Sequence, residues 1–112
     1  MKKRLNSHKH MLHVLASAHP KMRKAILTHA DKELVQTLTE CVYNVMKGNV
    51  PISACSKNKL MRYRTKLRSI ANPKTKWKNK KHVFVQNGGF LSVLLPLIGS
   101  AITGLISGLT SK

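Results

Sequence analysis

Acidic residues are what this chain most lacks. Three carboxylates, Asp31, Glu33 and Glu40, stand against twenty-one Lys/Arg in 112 residues, a formal net charge of +18. From Cys41 to the end there is none. Because all three lie within ten residues of one another, they cannot supply a spaced acid/base pair; their simplest roles are helix-dipole compensation and local salt bridging. Cysteine is nearly as scarce. Cys41 and Cys55 stand fourteen apart with no CxxC, so no zinc-type spacing exists and reduced thiols are the expectation. His8, His10, His13, His19 and His29 crowd the first third, and His10 and His13 share a helix face, but no Cys or carboxylate joins them at ligand spacing. Neither GxxxxGK[ST] nor GxGxxG occurs. The expectation is a protein that is not an enzyme and carries no metal or cofactor. Aromatics are few as well (one Trp, two Tyr, two Phe), so any core is modest.

What is present divides by composition. Residues 1–7 form a basic arm, with no sustained apolar run of the kind a secretory signal requires. Ser7 is placed to cap a helix from about His8 to Ala18, with Met11, Leu12, Leu15 and Ala18 on one stripe. Pro20 suits the first turn of a second helix, in which Met22, Ala25, Ile26 and His29 are expected to face inward. Asp31 caps the clearest helix, where Leu34, Leu38, Cys41, Val42 and Val45 recur at three and four residues and Gly48 marks the end. After the turn "GNVPIS", Ser53 starts a fourth helix reaching about Ala71, with Leu60, Tyr63 (or Met61), Leu67 and Ile70 as its seam; Asn72-Pro73 stops it. The expected fold class is all-α: a small bundle of about four short helices over residues 8–71, a basic disordered linker over 72–89, and a separate apolar C-terminal helix in the hydrophobic tail, residues 90–112.

Charge is the functional signal. The fourth helix carries Lys57, Lys59, Arg62, Arg64, Lys66 and Arg68 with no acid between them, whereas a solvated helix face ordinarily interleaves both signs. The linker adds Lys74, Lys76, Lys78, Lys80 and Lys81 around Trp77, a residue suited to stacking on bases or to a membrane interface. This density of one-signed charge seeks a polyanion, nucleic acid or an anionic membrane, and a nucleic acid would be bound through phosphates rather than by reading bases.

The tail raises a second possibility. Phe90 to Leu109 is twenty uncharged residues, about 30 Å as a helix, with Gly104 and Gly108 in GxxxG spacing. A membrane association through residues 90–109, with the basic flank on the cytoplasmic face, is the alternative localisation. Burial of the tail against the helical unit is a third arrangement.

A basic segment, then Gly-Gly, then Phe-Leu and an oily tail containing proline resembles, over about residues 74–109, the precursors of the adenovirus core protein X (mu) family. The helical part, "HMLHVLASAHPKMRKAILTHADKELVQTLTECVYNVMKGN", is similar to small proteins of Maverick/Polinton and adintovirus-type elements. These resemblances imply a virion core protein that condenses viral DNA, found in the virion and the host nucleus. They also imply an adenovirus-type cysteine protease as a partner, cutting after Gly88-Gly89 and before Phe90. The family's cleavage pattern has a preferred residue, any residue, then Gly-Gly; here Gln86-Asn87-Gly88-Gly89 places Gln where Met, Leu or Ile is commoner. A plain turn or hinge at the glycine pair is the competing role.

Overall fold

Three residues set the frame of the first half. Asp31 accepts the backbone N–H of Leu34 at 2.8 Å through Oδ1, capping a fifteen-residue helix that Gly48 ends with a positive φ of 78°. Pro20 occupies the first turn of the helix before it. In a computed structural model, residues 7–48 and 52–97 are described. The first six residues of the basic arm, residues 49–51 of the expected turn, and the tail from residue 98 on (with Gly104 and Gly108) lie outside the described residues.

The described chain is all-α. Its helices are α1 (Lys9–Ser17), α2 (Pro20–Thr28), α3 (Lys32–Met46), α4 (Ala54–Met61), α5 (Arg64–Ala71) and α6 (Trp77–Gln86). A 3₁₀ turn (Gly88–Phe90) follows and leads into a final helical stretch, residues 91–97. No strand occurs among the described residues.

Several expectations need correcting. The fourth helix is two helices. Leu60 and Leu67 are both buried as the seam requires, yet the chain breaks at Arg62–Tyr63, where Tyr63 sits at φ −107°, ψ 14°. Neither Gly nor Pro announces the break. Its effect is to turn the Tyr63 ring onto Phe90, centroids 5.6 Å apart, leaving Met61 exposed.

The expected disordered linker holds a helix instead. Asn72 and Pro73 form a β-turn in which Thr75 N–H donates to Asn72 O at 3.1 Å and Lys74 N–H donates to Asn72 Oδ1 at 2.9 Å. α6 then packs against α2, α3 and α5. It buries Phe84 fully, and Trp77, Val83 and Val85 partly. Lys80 and Lys81 flank that stripe half-buried, since a lysine can lay its methylene stem on apolar surface. Lysine is also a good helix former, so a lysine-rich segment needs only a few apolar anchors to fold.

The start of the tail is not a separate helix. Phe90, Leu91, Leu94 and Leu95 are buried in the same core as Leu12, Leu15, Leu34, Leu38, Val42, Leu60 and Leu67. Each such side chain is worth about 1.5–3 kcal/mol when fully buried, so these four together rival the total stability of a small domain, roughly 5–15 kcal/mol.

The inner face of α2 is rotated from the expected one. Arg23 and Leu27 are buried and Ile26 partly so, whereas Met22, Ala25 and His29 are exposed. Arg23 is tolerated inside because it satisfies the open end of α1: its Nε donates to Leu15 O at 3.1 Å and a terminal nitrogen donates to Ala18 O at 3.0 Å. At the other end of α1, His8 rather than Ser7 holds the cap position. Val45, expected in the core, is partly buried.

If the tail belongs to the core, Phe90→Ala lowers the unfolding free energy by about 3–5 kcal/mol in a urea titration followed by circular dichroism. Met22→Ala, at a site 57% exposed, changes it by less than about 0.5 kcal/mol. A Phe90→Ala curve lying on the wild-type one would separate the tail from the domain.

Candidate nucleic-acid interface

The cations singled out from the sequence fall on consecutive elements. Lys57 and Lys59 project from α4, Arg62 stands at its C-cap, and Arg64, Lys66 and Arg68 project from α5; all six are exposed. Lys74 lies in the turn after α5, Lys76 caps the start of α6 and Lys78 follows, again exposed. Since α6 returns to pack against α5, the two basic runs belong to neighbouring elements. Lys80 and Lys81 are half-buried, and desolvation by its surroundings lowers the Lys80 pKa from its ordinary value.

The carboxylates are elsewhere. Asp31 is engaged as the cap of α3, Glu33 sits in that helix's first turn, where it complements the positive end of the dipole, and Glu40 lies further along α3. Arg23 is the cation that does not belong to the surface: held by two backbone carbonyls, it is a structural group. Among the described residues, no three of His, Cys, Asp and Glu are grouped as metal ligands would be.

Between α3 and the start of α6 runs an open groove of about 780 Å³, lined by Lys32, Gln36, Thr39 and Glu40 from one side and residues 73 and 75–80 from the other. The α3 side of this groove was missed in the sequence. Its signal was present as a polar stripe, Lys32-Gln36-Thr39, at helical spacing opposite Leu34 and Leu38, but nothing marked residues 77–86 as the helix that faces it.

The glycine pair is folded. Gly88–Phe90 forms the 3₁₀ turn, Gly89 O accepts a hydrogen bond from Ser92 Oγ at 2.8 Å, and Phe90 is fully buried. Gly88 lies so close to α2 that a Cβ there would meet Leu27 Cδ1 at 3.3 Å and Arg23 Cδ at 3.5 Å. The turn thus joins α6 to the helical stretch 91–97, with the Gly88 backbone close to α2 and a Cβ at Gly89 meeting only Tyr63 Oη at 3.5 Å. No helix among the described residues is long and apolar enough to cross a membrane. Lipid contact through the whole of residues 90–109 would require Phe90, Leu91, Leu94 and Leu95 to leave the core.

Neither thiol is bonded to the other. Cys41 is buried and Cys55 exposed. Burial pushes the Cys41 thiol up to about 12, with the neighbouring Glu40 charge adding to the effect, so this sulfur is not a nucleophile at neutral pH. Compared with known proteins, the chain matches no family model, no curated sequence and no solved structure.

Thiol chemistry tests this placement. A chromogenic disulfide reagent at neutral pH titrates one thiol in the folded protein, lost in Cys55→Ser, and two after denaturation. In the unfolded chain Cys41 ionises near pH 9, whereas in the fold it keeps its proton to about 12. Its contribution to stability is therefore complete below pH 9 and falls as pH rises toward 12. Cys41→Ala, compared with wild type in urea titrations across that range, shows the shallower decline.

Proposed function

We propose that the protein binds and condenses double-stranded DNA through its charge, as a non-enzymatic core protein of a virion. The observation that carries this reading is the one-signed surface of α4, α5 and the start of α6. Lys57, Lys59, Arg62, Arg64, Lys66, Arg68, Lys74, Lys76 and Lys78 all reach solvent, and no carboxylate follows Glu40 in the sequence. Each cation that meets a phosphate releases a condensed counterion, which supplies affinity without reading sequence. A formal charge of +18 on 12.5 kDa also lets one molecule neutralise phosphates on more than one duplex, the step that condensation needs. The virion setting, and the host nucleus before it, comes from the resemblance to adenovirus core protein X precursors.

Processing by an adenovirus-type cysteine protease between Gly89 and Phe90 belongs to the same proposal, and the fold sets its terms. A protease cleft takes an extended strand, whereas this pair sits in a 3₁₀ turn with the following ring buried. Cleavage therefore requires local opening, and release of the residues beyond Gly89 removes core that α2 and α6 pack on. On this reading processing loosens the helical unit as well as shortening it.

Two measurements bear on these statements. In filter binding to duplex DNA across a salt series, replacing the six cations of α4 and α5 by Gln preserves helicity and lowers the log–log salt slope by up to about 5. Lys74, Lys76 and Lys78 to Gln lowers it by up to about 3. A wild-type slope near zero would end the DNA reading. With the protease, native protein is cut slowly and at one bond, and Leu38→Ala, which destabilises the fold by about 2–5 kcal/mol, is cut faster. Equal rates for the two, or no cut under conditions that process a control substrate, leave the glycine pair as a structural joint.

A further inference from the structure

The groove between α3 and α6 differs from the exposed basic faces in having an aromatic wall. Trp77 packs against the core and also lines the groove, so one part of the indole is fixed while another faces the open space. Lys32 from α3 and Lys76, Lys78 and Lys80 from the opposite wall surround it with cations, and Glu40 is the one carboxylate of the lining. Gln36, Thr39 and Asn79 add side chains that both donate and accept hydrogen bonds. Lys80 lies half-buried in this wall.

A phosphate-binding face needs none of the aromatic or amide groups. An unpaired nucleotide needs all three kinds: a ring to stack on, cations for the flanking phosphates, and polar groups for a base edge. Bases inside a duplex are already stacked on their neighbours and cannot offer a face to an indole. At about 780 Å³ the groove has room for a base with its sugar and phosphate.

We infer that this groove is a subsite for single-stranded nucleic acid, in which one unpaired base stacks on Trp77 while Lys32, Lys76 and Lys78 hold the adjoining phosphates. The inference rests on the nucleic-acid reading above and adds to it a preference that charge alone does not give. The duplex would lie on the faces of α4, α5 and the start of α6, and a melted or frayed strand would reach into the groove beside them.

Trp77 is the sole tryptophan, so its fluorescence reports the site directly. Full-length protein is titrated with a thymidine oligonucleotide, a duplex of the same length and heparin, a polyanion without bases. The oligonucleotide is expected to quench the emission at saturation, and duplex and heparin to bind with little quenching. Trp77→Ala weakens oligonucleotide binding about tenfold or more while changing duplex binding less than about twofold, and Trp77→Phe restores most of the loss. Gln36→Glu, which adds a carboxylate at a half-buried position of the wall and leaves the core untouched, weakens oligonucleotide over duplex binding even if Trp77→Ala unfolds. Saturation without quenching, or equal losses on both ligands in Gln36→Glu, overturns the groove and leaves the DNA reading standing. Failure of the protein to bind duplex, oligonucleotide and heparin alike sinks both.

Discussion

Phe90 is the side chain around which the two halves of the chain are organised. Fully buried, it lies tilted against Tyr63 at the break between α4 and α5, and against Phe84 of α6 at 5.9 Å. Those three rings connect segments that otherwise repel one another, because α4, α5 and the start of α6 carry cations and no carboxylate. In a core of few aromatics, these three rings carry much of the apolar contact. The break at Arg62–Tyr63, which no local residue explains, becomes intelligible as the bend that brings Tyr63 to Phe90.

A second joint lies beside the first. Arg23 closes the end of α1 by donating to Leu15 O and Ala18 O, and Gly88 packs over the same stretch of α2. A lysine at position 23 would bring a single ammonium in place of a planar fork, and could not span two carbonyls in the same way. Helix α2 is thus held between the end of α1 on one side and the 3₁₀ turn on the other. The packing gives Gly88 a place against α2, and the pair is also a candidate site for a protease.

The first half of this arrangement was legible in the sequence because its signals are local. Asp31, Pro20, Ser53, Gly48 and Asn72-Pro73 mark boundaries by their own chemistry, and Leu34, Leu38 and Val42 repeat at helical spacing within one segment. What was not legible depends on partners distant in sequence. Arg23 reads as a surface residue until the carbonyls of α1 are in place. Lysines at alternate positions hide a helix whose apolar anchors are few, Trp77 at its start and Val83, Phe84 and Val85 two turns on. The tail reads as an independent oily helix until the shortage of core elsewhere is weighed against its leucines. For the interface, the exposed cations were readable from the sequence, since charge needs no partner to be exposed. The groove was not, since its walls come from α3 and from a segment not recognised as a helix.

The one-signed surface has a consequence for how the molecule responds to its medium. Dissolved salt screens the repulsion among its cations beyond a Debye length of about 8–10 Å, and so favours the compact state. On the proposed reading, the same ions would compete for phosphates and weaken binding to DNA far more steeply. Repulsion within the fold is greatest in the dilute medium, where the proposed binding would be tightest and a bound nucleic acid would relieve it. Phosphates laid along α4 and α5 would then take the place of the carboxylates that the second half of the chain does not have. In that sense a bound polyanion would complete the surface of the protein, balancing charges that the free molecule leaves unbalanced.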